Sequence, residues 1–376
     1  MIVNNEHSNL VRLGDYIEIY DVKNVESQDL PFCGINKDKT FMPTVADTNE
    51  LDKSKYKIVK KDVFVFSGMQ TGRDICIRLA LYEKSDSILV SPAYTTFVVK
   101  DKSEILPEYL FIQFNRLEMD RYGWFLSDGS IRSNLDWSVF CDIMIPLPDI
   151  DTQQELVDTY NGLKALAEHN EALIQPLTEA CQAYIVECKK KYPEVELGEY
   201  IQEFIQQNLN GELVLEDVRG VSIQKIFIDT KANMDDVPLE KYKIVKDGMF
   251  AFNVNTARMG EKFAIALCKD ETYLVSSIYG VFEVKDKSIL LPEYLYIIFN
   301  RENFDRYVRF NSWGSARETF TYNEIREVLI PLPPIEVQQA IVDIYMCAED
   351  AKINANEARE KLKKLCPALV QRAINS

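Results

Sequence analysis

Two kinds of arginine-bearing turn occur twice in this chain, and their residue types suit contact with a nucleic acid. The first is a polar loop, Ser67-Gly68-Met69-Gln70-Thr71-Gly72-Arg73, answered by Asn253-Val254-Asn255-Thr256-Ala257-Arg258-Met259-Gly260. The second is a Gly-Ser-x-Arg turn, Gly129-Ser130-Ile131-Arg132 and Gly314-Ser315-Ala316-Arg317. Arginines and aromatics lie just upstream: Arg121, Tyr122 and Trp124, or Arg306, Tyr307, Arg309 and Trp313. A guanidinium on a glycine-containing loop can bind guanine O6 and N7 with two donors, while serine and backbone N–H groups hold phosphates. Glutamine and asparagine can address adenine edges by the same logic. The candidate contacts are therefore Gln70, Arg73, Ser130, Arg132, Asn253, Asn255, Arg258, Ser315 and Arg317. A structural alternative stands beside this one, in which Arg132 and Arg317 bridge their turns to an acid such as Asp136 or Glu324. Basic segments at 53–61 and 241–246 also recur, but a lysine-rich strand edge is often only solvated.

Other chemistry finds little support. Only His7 and His169 are present and neither recurs in the other copy, which speaks against histidine catalysis and histidine metal sites. No phosphate-binding P-loop and no glycine-rich dinucleotide turn occurs. The Asn-Pro-Pro-aromatic and Asp-Pro-Pro-aromatic signatures of amino-methyltransferases are absent, and Leu332-Pro333-Pro334-Ile335 is not one. Glu283-Val284-Lys285 imitates the end of a nuclease site, but its counterpart Val98-Val99-Lys100 lacks the acid. The expectation is a chain with no catalytic, cofactor-binding or metal-binding residues.

These turns sit in a duplicated chain. Lys55-Tyr56-Lys57-Ile58-Val59-Lys60 returns as Lys241-Tyr242-Lys243-Ile244-Val245-Lys246, and Lys100-Asp101-Lys102-Ser103 as Lys285-Asp286-Lys287-Ser288. Leu106-Pro107-Glu108-Tyr109-Leu110 returns as Leu291-Pro292-Glu293-Tyr294-Leu295, and Ile145-Pro146-Leu147-Pro148 as Ile330-Pro331-Leu332-Pro333. The offset stays within 184–186 residues, a whole-domain duplication rather than a solenoid of about 20–50-residue repeats. Two similar domains suit two similar surfaces, or one partner with approximate two-fold symmetry.

Each copy opens with short runs of Val, Phe, Tyr and Ile that read as strands, at 63–66, 87–90 and 95–99, then 249–252, 273–276 and 280–284. Helices follow at 107–114 and 292–299, each with proline in the first turn. Beyond each Pro-Leu-Pro the apolar period becomes 3,4,3,4. One seam runs Leu156, Tyr160, Leu163, Ala167, Asn170, Ile174, Leu177, Cys181, Tyr184, Cys188; the other runs Ile341, Ile344, Ala348, Ala351, Ala355, Ala358, Leu362, Leu365, Leu369. Each spans about four coiled-coil heptads, with Asn170 as a register-setting polar residue. Pro176 and Pro367 are expected to kink or restart their helices. The fold class is α+β: two similar mixed α/β domains separated by a long antiparallel coiled coil of two helices, with pseudo-two-fold symmetry. The boundaries are 1–150, first domain; 151–192, central helix; 193–333, second domain; and 334–376, C-terminal helix.

Composition sets limits. The 376 residues are 47% hydrophobic and 11% aromatic, as in a well-packed protein of two or three domains. No run of about 18 apolar residues and no signal peptide is evident. The eight scattered cysteines lack a C-x-x-C pair, which points to reduced, mostly buried thiols and a cytoplasmic setting. The net charge of −16 works against phosphate binding. No segment is basic as a whole: 1–150 carries −6, 151–192 −3, 193–333 −7 and 334–376 zero. A DNA-binding face must then be a local basic stripe, or be completed by a partner.

In their full order these landmarks resemble the specificity subunit of type I restriction–modification systems, over nearly the whole chain. The carrying residues are Lys60-Lys61-Asp62-Val63-Phe64-Val65-Phe66 with Lys246-Asp247-Gly248-Met249-Phe250-Ala251-Phe252, both Leu-Pro-Glu-Tyr-Leu units and both Gly-Ser-x-Arg turns. Strongest is the domain exit, Ile-Pro-Leu-Pro followed by Gln153-Gln154 or Gln338-Gln339 and then a helix. The resemblance implies two target-recognition domains, each reading half of a bipartite site in double-stranded DNA. It implies helices that dock two methyltransferase subunits carrying S-adenosylmethionine, and a translocase–nuclease subunit that completes the complex. No membrane partner is implied. The competing expectation, motivated by the charge, is a non-catalytic protein-interaction scaffold or degenerate homologue that does not bind DNA.

Overall fold

The computed structural model describes residues 10–44, 51–69, 74–130, 133–230, 234, 237–257, 260–313 and 318–375, with side chains to 364. It divides into two compact units, 1–169 with 354–376, and 170–353.

In the first unit β1 (Leu10–Arg12) leads through a single turn, α1 (Leu13–Tyr16), to β2 (Ile17–Ile19). A hairpin of β3 (Cys33–Ile35) and β4 (Phe41–Pro43) follows. Next come β5 (Lys57–Val59), β6 (Phe64–Ser67), β7 (Arg78–Leu81), β8 (Ile88–Val90) and β9 (Thr95–Val99). Four of these form an antiparallel sheet in the order β2-β9-β6-β7. The central strands bury Phe64, Phe66 and Phe97 on one face and Val65 on the other, where Ala80 of β7 joins it, the alternation a two-sided sheet requires. Helices α2 (Pro107–Phe114), α3 (Leu117–Leu126) and α4 (Trp137–Cys141) cover the aromatic face. Strand β10 (Met144–Pro146) returns to pair with β1 and passes the chain to α5 (Ile150–Lys191).

The second unit repeats the plan: β11 (Glu194–Glu196), β12 (Ile201–Glu203), β13 (Arg219–Val221), β14 (Phe227–Asp229), β15 (Lys243–Val245), β16 (Met249–Asn253), β17 (Ile265–Leu267), β18 (Tyr273–Val275) and β19 (Tyr279–Val284). Its sheet runs β12-β19-β16-β17, the same topology. Then come α6 (Pro292–Phe299), α7 (Glu302–Phe310), α8 (Tyr322–Arg326), β20 (Leu329–Pro331) and α9 (Ile335–Asn375). The mixed α/β domains and both long helices agree with the sequence expectation.

The repeated motifs hold each helix exit to its own domain. Gln153 Oε1 accepts from Leu106 N at 2.9 Å, and its Nε2 donates to Glu104 O and Pro148 O, each at 2.9 Å. Gln338 does the same for Leu291 N, Ile289 O and Pro333 O, at 2.9, 2.8 and 2.9 Å. Both side chains are fully buried, where a satisfied amide is the tolerable polar group. The tyrosines of Leu-Pro-Glu-Tyr-Leu complete the joint: Tyr109 Oη donates to Pro146 O at 2.8 Å and Tyr294 Oη to Pro331 O at 3.0 Å. The Pro-Leu-Pro and Gln-Gln motifs are thus one device, a buried hydrogen-bonded root for a long helix.

In the second unit residues 170–191 of α5 lie with 335–353 of α9; in the first, 150–169 lie with 354–376, the pairing of an antiparallel seam. Cys181 Sγ meets Ile341 O at 3.9 Å within the second unit. Ala348, Ala351, Ala355, Ala358 and Leu362 are buried as the second seam requires, while the side chains of Leu365 and Leu369 lie outside the described residues. Asn170 is buried at 8%. Two expectations are corrected. Tyr184 is 53% exposed and Ile185 takes its place in the core, because a 3.6-residue helix drifts from a strict 3.5 repeat. Of the kink or restart expected at each proline, the restart does not occur, for α5 and α9 run through Pro176 and Pro367. Pro176 and Ala172, whose carbonyl loses its donor, are both on the exposed face, so water can satisfy that carbonyl.

Candidate nucleic-acid interface

Each domain brings its two arginine-bearing loops together with backbone hydrogen bonds. In the first, Leu135 N donates to Gly68 O at 2.8 Å, joining the segment after the Gly-Ser-x-Arg turn to the polar loop. A Cβ at Gly68 would stand 2.1 Å from Leu135 O, so the approach requires glycine. In the second, Phe320 N donates to Val254 O at 2.9 Å and Thr256 N to Glu318 O at 3.0 Å, with a further bridge between Asn255 and Thr319. Described segments beside the two motifs, more than sixty residues apart in sequence, are therefore joined at the backbone in each domain.

Among the named candidates, Ser130, Asn253 and Asn255 fall within the described residues; Gln70, Arg73, Arg132, Arg258, Ser315 and Arg317 lie outside them. Ser130 is exposed, and its N–H and Oγ both donate to Asp128 Oδ1, at 3.2 and 2.6 Å. Asn134 N donates to the same oxygen at 2.8 Å, so one carboxylate closes the turn. These bonds hold Asp128 below the usual carboxylate range, the serine hydroxyl contributing most. Asn253 ends β16, where its Oδ1 accepts from Asn255 N at 3.0 Å; Asn255 Oδ1 accepts from Ala257 N at 3.2 Å. Both asparagines use the carbonyl to shape the loop, which leaves the amide NH2 groups as their spare donors.

The acids of the structural alternative have other work. Asp136 Oδ1 caps α4, accepting from Ser138 N at 2.8 Å and Ser138 Oγ at 2.6 Å. Glu324 closes a capping box with Thr321, accepting from Thr321 N at 2.6 Å.

Of the recurring lysines, Lys55, Lys60, Lys241 and Lys246 are exposed, whereas Lys57 and Lys243 are half-buried. Lys57 Nζ donates to Tyr94 O at 2.9 Å and pairs with Asp21 at 3.0 Å; Lys243 Nζ donates to Tyr279 O at 2.6 Å. Lys285, of the nuclease-like triplet, donates to Gly198 O and Glu199 O at 3.2 and 2.9 Å, and Lys100 repeats this with Gly14 O and Asp15 O at 3.2 and 2.8 Å. Glu283 accepts from Gln202 Nε2 at 2.7 Å. The Glu-x-Lys resemblance is thus a strand edge in use as structure. Among the described residues no group of three His, Cys, Asp or Glu could hold a metal ion. Free thiols occupy seven described cysteine positions, with Cys76, Cys181, Cys188 and Cys268 buried.

One duplicated feature escaped the sequence reading. Lys39, at the tip of the β3–β4 hairpin, is 6% exposed, and its Nζ reaches both carboxylate oxygens of Asp120 at 2.7 Å. Lys225, at the tip of β13–β14, is 4% exposed and reaches Asp305 Oδ1 and Phe299 O, each at 2.5 Å. Both lysines adopt left-handed backbone, φ 59° and 64°, which costs a non-glycine residue about 1–2 kcal/mol. The same carboxylates accept from the strand that returns from the polar loop: Ile77 N to Asp120 Oδ1 at 2.9 Å, and Phe263 N to Asp305 Oδ1 at 3.0 Å. Asp120 lies on α3 and Asp305 on α7, the helices that lead to the Gly-Ser-x-Arg turns. One buried carboxylate per domain therefore fixes hairpin, loop and helix together. Burial pushes the Lys225 ammonium below its ordinary value, against the opposing pull of Asp305.

A family model described as the type I restriction modification DNA specificity domain matches residues 5–179 and 198–363. The chain is 20% identical over 355 residues to a protein named for the MjaX specificity subunit of Methanocaldococcus jannaschii, covering 87% of this chain and 81% of that one. To the type I restriction enzyme MjaVIII specificity subunit of the same organism it is 24% identical over 267 residues, 61% of this chain and 62% of the other. Its fold is similar to the S subunit of a type I restriction–modification system from M. genitalium, with a TM-score of 0.61 at 12% identity over 99% of this chain and 98% of that one.

Proposed function

The chain belongs to the type I restriction–modification DNA specificity family, and from that premise we propose that it selects the DNA sequence on which a partner methyltransferase acts. Each domain reads one half of a bipartite site. The paired loops of each domain form the reading surface: Gln70, Arg73, Ser130 and Arg132 in the first, Asn253, Asn255, Arg258, Ser315 and Arg317 in the second. The long helices dock two methyltransferase subunits, which carry S-adenosylmethionine, and a translocase–nuclease subunit joins the restriction complex. The chain itself performs no catalytic step.

The observation that supports this reading is that segments flanking the arginine loop and the Gly-Ser-x-Arg turn are joined in both domains, by Leu135 N–Gly68 O and Phe320 N–Val254 O. Two loops from distant sequence, joined at the backbone and repeated, suit one ligand met twice. The test is co-purification with the cognate methyltransferase, followed by methylome sequencing of cells carrying both. A bipartite methylated motif that vanishes when this chain is deleted is the expected result.

The charge of −16 favours a second reading, a scaffold whose domains bind no DNA. A stable complex that writes no new motif supports the scaffold and removes the reader.

A further inference from the structure

Each domain leaves one phenylalanine almost wholly in solvent at the edge of its candidate interface. Phe125 near the end of α3 is 79% exposed and Phe310 at the end of α7 is 76% exposed. They occupy the same place in the repeat, 185 residues apart. A single exposed apolar side chain is ordinary, but these recur with a companion. Arg121 and Arg306 lie four residues earlier, hence one turn back on the same helix face. The duplicated unit is Arg-Tyr-x-x-Phe, read as Arg121-Tyr122-Gly123-Trp124-Phe125 and Arg306-Tyr307-Val308-Arg309-Phe310.

The opposite face of each helix is fixed. Gly123 packs so closely on Ile77 that a Cβ would stand 2.3 Å from Ile77 Cγ1, and Val308 is 2% exposed. Asp120 and Asp305, the inward acids, are neutralised by Lys39 and Lys225. Each helix thus turns outward an arginine and an aromatic ring at a set position beside the loops, with an exposed glutamate, Glu118 or Glu302, one turn further back. Asp128, which binds Ser130, lies three residues after Phe125, and Trp313, three after Phe310, bridges to Thr319.

We propose that Arg121–Phe125 and Arg306–Phe310 are a pair of DNA-contact units, one per half-site. The guanidinium meets a backbone phosphate, and the phenyl ring stacks into the adjoining base step. Base–aromatic stacking tolerates any sequence, so the unit adds affinity and local distortion rather than a base code. A nucleic acid suits this face better than a protein, because the ring comes with an available cation and continues the loop surface. Arg121 has no ion pair among the described residues. Arg306 pairs only with exposed Glu302, at 2.5 Å, a kind of contact worth about 0–1 kcal/mol that a phosphate can displace. The proposal rests on the DNA reading above and adds residues to it.

The test uses the full chain in complex with its methyltransferase and a duplex bearing the methylated motif, with 2-aminopurine placed in turn at steps within and beside each half-site. The wild-type complex should raise fluorescence at one step per half. Phe125→Ala should abolish the first signal only, Phe310→Ala the second only, each with about tenfold weaker binding. Arg121→Ala should lower the salt slope by about one. Both rings are exposed, so folding should survive either change. Unchanged binding and fluorescence in both phenylalanine variants overturn the proposal while the DNA reading stands. Loss of the methyltransferase from either variant during purification places the ring at a protein contact and also overturns it. A wild-type complex with no site-dependent binding removes the DNA reading itself, and this proposal with it.

Discussion

In the first domain the turn after α3 is tied by a side chain: Asp128 Oδ1 accepts from Ser130 N, Ser130 Oγ and Asn134 N. In the second the equivalent turn is tied by backbone, with Trp313 N donating to Thr319 O at 3.3 Å and Thr319 N to Trp313 O at 3.0 Å. Beneath these unlike closures the frameworks hardly differ. Gln153 and Gln338, Tyr109 and Tyr294, Lys100 and Lys285, and the two buried lysine–aspartate pairs make equivalent bonds. The helix roots and the lysine–aspartate pairs are built from residues outside these turns, so the turns can differ over a common frame. On the proposed function, unlike turns over a constant base suit two different half-sites.

The largest expected effect is a change of sequence read. Replacing residues 1–150 by the first domain of a relative that reads another motif should rewrite one half of the methylated motif, a discrimination of about a thousandfold or more, and leave the other half intact. Methylome sequencing reads it; a change in both halves would break the independence of the two surfaces.

Next is the buried ion pair. Lys225→Met leaves Asp305 buried without its cation and should cost about 3–5 kcal/mol in urea denaturation. Lys39→Met should cost less, since Asp120 is 14% exposed against 9% for Asp305 and Lys39 lacks the extra bond to a helix carbonyl. Adding Asp305→Asn to Lys225→Met should recover most of the loss, because the amide oxygen still accepts from Phe263 N.

The helix roots should behave alike. Gln153→Leu and Gln338→Leu each strand a buried N–H, at Leu106 or Leu291, and should each lower stability by about 1–3 kcal/mol. A difference between them beyond about 0.5 kcal/mol would break the equivalence of the frameworks. Smallest is Asp128→Ala, which should move the melting midpoint by under about 2 °C. It should speed hydrogen exchange at Ser130 and Asn134 and leave Thr319 untouched.

The sequence displayed the duplication, six of the strands (β6, β8, β9, β16, β18 and β19), both prolines that start α2 and α6, and most positions of the helix seams, because each is written in period and residue type. The short strands, such as β1, β3 and β10, carry no such pattern. It carried the Gln-Gln motif as a mark without a meaning; only the fold shows Gln153 and Gln338 as the acceptors and donors of a buried joint. Lys39 and Lys225 were hidden because Gly34-Ile35-Asn36-Lys37-Asp38-Lys39-Thr40 and Gly220-Val221-Ser222-Ile223-Gln224-Lys225-Ile226 share little beyond a glycine, an apolar residue and the lysine. A lysine between polar turn residues reads as solvated, and its burial depends on an aspartate about eighty residues away. Phe125 and Phe310 were obscured among neighbouring aromatics, since exposure is a property of the packed helix and not of residue type. In the basic segments Lys55, Lys60, Lys61, Lys241 and Lys246 are solvated, as a lysine-rich strand edge often is, while Lys57 and Lys243 hold backbone carbonyls that residue type could not announce.

The division of the long helices also sets an order in time. Residues 170–353 form one unbroken stretch, whereas the first unit joins residues 1–169 to 354–376. A ribosome extends a chain at about 5–20 residues per second, so the second unit has all its parts before the first has its last helix segment. The amino-terminal domain is made first and finished last. For that interval the first unit's stretch of α5 is without residues 354–376, while Leu156 and Val157 at its root already have the first domain's core to pack on.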